Sequence, residues 1–88
     1  TLWHNENLFS VTQESFRQLL ADYGPTDDIA NRLTQTELNN LKHFGYGVKG
    51  FTLSMIETAL ELTENRIEAK QIKRILELGK EMLAAPVE

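Results

Sequence analysis

His43-Phe44-Gly45-Tyr46-Gly47-Val48-Lys49-Gly50-Phe51-Thr52 is the stretch on which the fold turns. It holds three of the chain's five glycines, interleaved with aromatics and a lone lysine. Helical patterning reads up to it from Thr26 and away from it from Thr52, which makes it a turn between helices. Glycine supplies positive φ and lets backbone approach other atoms closely. A turn that only reversed the chain would need one glycine and polar neighbours. Tyr46, Lys49 and Phe51 are therefore expected to project from a flexible loop that touches a ligand. The alternative is a loop whose aromatics simply cover the end of a helical bundle.

Composition narrows the remaining choices. The 88 residues suffice for one domain with a modest core. A net charge of -4 argues against nucleic acid, which would call for a clustered basic face. No apolar run approaches the ~20 residues of a membrane span, so no membrane partner is expected. With no cysteine and only His4 and His43, thiolate and histidine-rich metal sites are excluded, and a reducing cytoplasm fits. Thr1-Leu2-Trp3 at one end and Val87-Glu88 at the other read as abrupt cuts, as if from a larger protein.

Working outward from the turn, Phe9, Phe16 and Tyr23 recur every seven residues beside Leu19 and Leu20. They predict a first helix from about Asn7 to Tyr23, with Ser10 and Gln13 as a capping box if it starts later. Gly24-Pro25 should stop it, the glycine at C′. Thr26 is the expected N-cap of helix two, with Asp27 and Asp28 where the macrodipole favours them. Ile29, Ala30, Leu33, Leu41 and Phe44 share its apolar face; Asn39, Asn40 and Thr34 should weaken its last turns.

Helix three should open at Thr52 or Ser54, the latter in capping-box register with Glu57, and bury Leu53, Ile56, Ala59 and Leu60. Met55 and Leu62 flank that stripe, and Thr63–Arg66 is a polar connector. Helix four, Glu68 to Ala84, carries Ile72, Ile75, Leu76, Met82 and Leu83 on one face, with Gly79 there to admit a neighbouring helix. Lys70, Lys73 and Arg74 read as a solvated outer face. The fold class is thus all-α, a four-helix antiparallel bundle made of two helical hairpins. Such a bundle puts both chain ends and the glycine turn at one pole.

Thr1-Leu2-Trp3-His4-Asn5-Glu6 resembles the tail of the first motif of the haloacid dehalogenase-like hydrolases, a D-x-D-x-T pattern whose threonine Thr1 matches. The residues beyond Glu6 are similar to the helical cap inserted after that motif. Tyr46–Met55 falls where such caps carry their specificity loop, and Pro86-Val87-Glu88 resembles the return to the catalytic body. On this resemblance, residues 1–6 are an incoming linker, 7–85 the cap and 86–88 a return linker.

The resemblance implies a Rossmann-like body in the same polypeptide, bound Mg2+, and an aspartate that attacks a phosphoryl group to give an aspartyl-phosphate. The parent would be a phosphatase acting on a small phosphorylated metabolite. Beyond Thr1 none of the catalytic residues is in this chain, which alone should be inactive. The cap would gate and select substrate, through Lys49 as a cation, Tyr46 as a stacking or hydrogen-bonding group, Gly47 in the bend, and His43 as a further contact. His4 and Asn5 would be hinge or linker residues. The competing reading is a stand-alone helical module that binds a partner protein; a helix-turn-helix reading lacks a basic recognition helix.

Overall fold

A computed structural model describes residues 2–45 and 47–84 and, within them, the side chains from Leu8 onward. Four helices form the domain: α1 (Leu2–Leu19), α2 (Thr26–Phe44), α3 (Val48–Leu62) and α4 (Ala69–Ala84). A 3-10 turn, Ala21–Tyr23, links the first two, and the described residues include no strand.

The helices alternate in direction. At one pole the Phe9 and Phe51 rings pack with centroids 5.1 Å apart, aligning the first half of α1 with the start of α3. At the other, Tyr23 Oη donates to Gln71 Oε1 at 3.1 Å and Gln71 Nε2 donates to the Leu19 carbonyl at 3.4 Å, joining the end of α1 to the start of α4. Lys49 near the start of α3 shares a groove with Lys80 and Leu83 near the end of α4. The antiparallel bundle of two hairpins is therefore the observed architecture. The Gly45–Gly47 turn and the described ends Leu2 and Ala84 share a pole.

The core is drawn from every helix. Phe16 and Leu20 from the α1 hairpin arm, Ile29 and Leu33 from α2, Met55 and Ala59 from α3, and Ile75 from α4 are all buried. Burying a side chain of this size yields ~1.5–3 kcal/mol, the term that sets the helix arrangement. α3 is central, packed on both α2 and α4.

Local departures from expectation have identifiable causes. α1 begins at Leu2, so Ser10 and Gln13 lie inside it and cap nothing. Gly24 is in extended backbone, φ 164°, a conformation open to any residue, because the 3-10 turn has already closed with Tyr23 N–H on the Leu20 carbonyl. Tyr23 then falls outside the apolar stripe and stays exposed. Pro25, not Thr26, holds the cap position of α2, and its carbonyl accepts from Ile29. α2 runs unbroken through Asn40 because that amide is engaged with partners in α3 instead of competing for its own backbone.

α3 departs furthest. It begins at Val48, so Val48 to Phe51 are helical, and the loop shrinks to Gly45–Gly47. Gly45 (φ +70°) and Gly47 (φ +124°) take the conformations that close it. Phe51 is core, not a projecting loop residue. Thr52 Oγ1 donates to the Val48 carbonyl at 2.8 Å inside the helix, and neither it nor Ser54 is a cap. The buried face is Phe51, Ser54, Met55, Thr58 and Ala59, while Leu53 is exposed. On α4 the buried face is Ile75, Leu78, Gly79 and Met82; Leu76 and Leu83 lie outside.

The polar connector after α3 is as expected. Thr63 Oγ1 donates to the Ala59 carbonyl and accepts from Ile67 N–H, while Glu64 and Asn65 turn through the left-handed region.

Candidate functional site

The sequence pattern places the candidate site at the glycine turn, and the turn's local build follows from α2 and α3. Gly45 N–H bonds the Leu41 carbonyl at 2.8 Å and ends α2, whose last turn carries Lys42 and His43 where the dipole favours cations. The Phe51 N–H then bonds the Gly47 carbonyl at 3.0 Å as the first helical link of α3. A Cβ on Gly50 would stand 2.9 Å from the Gly45 carbonyl oxygen and 3.2 Å from Phe44 Cβ, so the two helix ends can meet this closely only with glycine there. Gly47 caps α3 without a side-chain acceptor, and no acidic residue lies in the first turn.

Two clefts flank this junction. The larger, about 450 Å3, opens between α1, α2 and α3. Phe9, Leu38, Leu41, Phe44 and Phe51 make its apolar wall, with Gly45, Gly47 and Gly50 from the turn and the start of α3 beside them. Thr34, Glu37, Asn40 and Ser54 also line it. Asn40 Nδ2 donates to Glu57 Oε1 at 3.0 Å and to Ser54 Oγ at 3.3 Å, tying α2 to α3 behind the cleft. Glu37 is half-buried, and the loss of water around it raises its carboxyl above the ordinary range. Among the described residues no lysine or arginine pairs with it. The smaller cleft, about 300 Å3, runs between α3 and α4, with Leu53, Leu76 and Leu83 along it and Lys49 and Lys80 beside them.

The sequence-derived residues do not converge on one cleft. Gly47 lines the larger and Lys49 the smaller. His43 is exposed at the end of α2, its ring 6.3 Å from that of Phe44, and lines neither. Tyr46, Thr1 and the return segment 86–88 lie outside the described residues, as do the side chains of His4 and Asn5. Glu37, Asn40 and Ser54 went unrecognised as cleft residues. Ser54 and Glu57 looked like a cap and Asn40 like a helix weakener, when all three make one cross-helix network. The available signal was Asn40 itself, a polar residue on the same face as Leu33 and Ile29 at helical spacing.

Two members of the basic group on α4 are engaged by acidic neighbours, while Lys73 is exposed. Arg74 reaches Glu81 at 3.1 Å and Glu77 at 3.4 Å, and Lys70 stands 4.0 Å from Glu68. Among the described residues no three His, Cys, Asp or Glu side chains gather to hold a metal ion. No described helix is long and apolar enough to cross a membrane.

The hairpin turn and the described ends Leu2 and Ala84 thus share one pole of an all-helical bundle. No family model matches the chain, and no curated protein does. A solved structure does: a haloacid dehalogenase-like family hydrolase from Xanthomonas campestris matches with 48% identity and a TM-score of 0.84. The match covers 93% of this chain and 34% of that one, so the chain spans about a third of its relative's length. The chain belongs to the haloacid dehalogenase-like hydrolases.

Proposed function

We propose that this bundle is the substrate-gating and specificity cap of a Mg2+-dependent hydrolase of that family, acting as a phosphatase on a small phosphorylated metabolite in the cytoplasm. The observation that carries the reading is the shared pole: the Gly45–Gly47 turn and the two described chain ends lie together, so a body joined through those ends faces the turn. Lys49 supports it independently. It sits exposed in the first turn of α3, where the macrodipole disfavours a cation, so helix stability does not account for its being there. With the free N–H groups of that turn it offers an incoming anion both charge and donors.

In this reading the chemistry belongs to the Rossmann-like body, where Mg2+ would offset phosphoryl charge. This chain closes over the bound substrate, excludes water and holds the part of the substrate remote from the phosphate. Gly47 shapes the bend, Tyr46 and His43 stand beside it in sequence as further contacts, and His4 and Asn5 belong to the linking side. By itself the chain releases no phosphate from phosphate esters.

The test is Lys49→Ala in the complete protein. Loss of a charged hydrogen bond worth ~1.5–3 kcal/mol should lower kcat/KM about 10- to 100-fold on the preferred ester while the melting temperature stays put. Unchanged kcat/KM across a broad phosphate-ester panel would remove Lys49 from the substrate.

A further inference from the structure

The larger cleft has a chemistry of its own, different from the cationic character of Lys49. Its polar side chains are mostly acceptors, the Ser54 hydroxyl, which accepts from Asn40, keeping one neutral donor hydrogen. Glu37 presents a carboxylate, and Asn40, with its amide nitrogen already committed to Ser54 and Glu57, has its carbonyl oxygen left to offer. The two stand one turn apart on α2, and so share a face. Thr34 has its own hydroxyl hydrogen on the Ala30 carbonyl at 3.1 Å. Among the described residues, no lysine, arginine or histidine lines the cleft. The remaining wall is aromatic and aliphatic, with Phe44 44% exposed at its edge and Phe9 tilted at 59° against Phe51.

We propose that this cleft binds a small organic amine or ammonium, its apolar part against Phe9, Phe44 and Phe51 and its charged nitrogen toward Glu37 and Asn40. Such a guest complements the walls in both charge and polarity. Aromatic faces attract cations, and do so more strongly where water is excluded. A carboxylate partly stripped of water and lacking a counter-ion gains more from an incoming cation than an exposed one does. An anionic ligand would meet repulsion from Glu37 and, among the described residues, no cationic side chain, only the neutral Ser54 hydroxyl. A purely apolar occupant would bury Glu37 further with nothing to pair it. The volume of about 450 Å3 suits a small metabolite and is within the range of ligand pockets, roughly 300–1,000 Å3.

Placing this amine on the leaving group of the hydrolysed ester rests on the cap reading above; the binding itself does not. Under that reading the substrate class narrows to phosphate esters of amino-bearing or quaternary-ammonium alcohols.

The test is binding by the complete protein of benzyltrimethylammonium against its uncharged carbon isostere, neopentylbenzene, followed by NMR shifts of the cleft residues. The cation should bind about tenfold or more tightly than the isostere, with shifts centred on Glu37, Asn40 and Phe44. Glu37→Gln should remove most of that preference while leaving the isostere's affinity unchanged, and Phe44→Leu should weaken the cation more than the isostere. Equal binding of the two probes, no binding of either, or shifts confined to other faces would each overturn the proposal. Failure of the phosphate-ester panel with intact cation binding would instead sink the phosphatase reading and leave this one standing.

Discussion

Replacing Gly79 by alanine puts two effects of known sign against each other. In an isolated helix the change is favourable, since glycine costs about 1 kcal/mol relative to alanine in a helix interior. In this bundle the new methyl would overlap Thr52 Oγ1, and stand 2.9 Å from its Cγ2 and 3.1 Å from its Cβ. Thr52 is poorly able to yield: it is β-branched, and its hydroxyl is held on the Val48 carbonyl at 2.8 Å. α3 and α4 must then separate locally, an overpacking cost of ~1–3 kcal/mol. Subtracting the propensity gain leaves a net loss of about 0–2 kcal/mol, the packing effect outweighing the gain over most of that range. For a domain of this size that is a fall in Tm of up to roughly 15 °C. Thermal and urea denaturation of wild type, Gly79→Ala, Thr52→Ala and the double variant give the coupling directly. Thr52→Ala removes the two nearest of the three crowding atoms and leaves only Cβ, so the double variant should recover most of the loss and show an interaction of about 1 kcal/mol. A Gly79→Ala protein more stable than wild type, or a double variant no better than the single, would refute the close-packed helix pair.

Two further changes concern the buried polar groups. Burial raises the Glu37 carboxyl, so the folded state holds its proton to a higher pH than the unfolded chain does, and stability is lost as pH rises from the unfolded value through the folded one. Glu37→Gln should therefore be more stable than wild type at neutral pH, with the difference shrinking as pH falls through the raised value and gone below the ordinary glutamate range; urea melts across that span check it, and a constant difference would point to a cause other than ionisation. Thr58 is fully buried, and its hydroxyl has no hydrogen-bond partner among the described residues. Thr58→Val keeps the shape, removes that unpaired group, and should raise stability by ~1–3 kcal/mol in denaturant titration, whereas a loss would show that the hydroxyl is satisfied.

The architecture was readable because the helix count, the antiparallel order and the shared pole need only apolar spacing and breakers. α2 shows this best: Ile29 and Leu33 recur on one face against clearly polar neighbours, and both are buried. α3 was misread because apolar and small residues ring it almost completely, so periodicity alone does not select a face; packing against both α2 and α4 does, burying Met55 and leaving Leu53 out. Its start was misplaced for a related reason. Three glycines in six residues suggest a long loop, yet Gly50 is inside the helix because the approach of Phe44 and the Gly45 carbonyl excludes a side chain there. The larger cleft was invisible for a different reason: Glu37, Asn40 and Phe51 are brought together by α2–α3 crossing, and no local pattern records a contact across that distance in sequence. Lys49 was legible as an exposed cation near the bend, but its residence on the α3–α4 side is a matter of helix phase.

Because α3 is the common wall of both clefts, with Gly50 and Phe51 toward one and Thr52 and Leu53 toward the other, the two are mechanically opposed. A guest that wedges α3 away from α2 presses it toward α4, where Thr52 already abuts Gly79 and leaves no slack. Any guest that displaced α3 in this way would strain the other side, and by reciprocity the two guests would weaken each other by the same factor. The helix would serve as a balance beam whose tilt reports which pan is loaded.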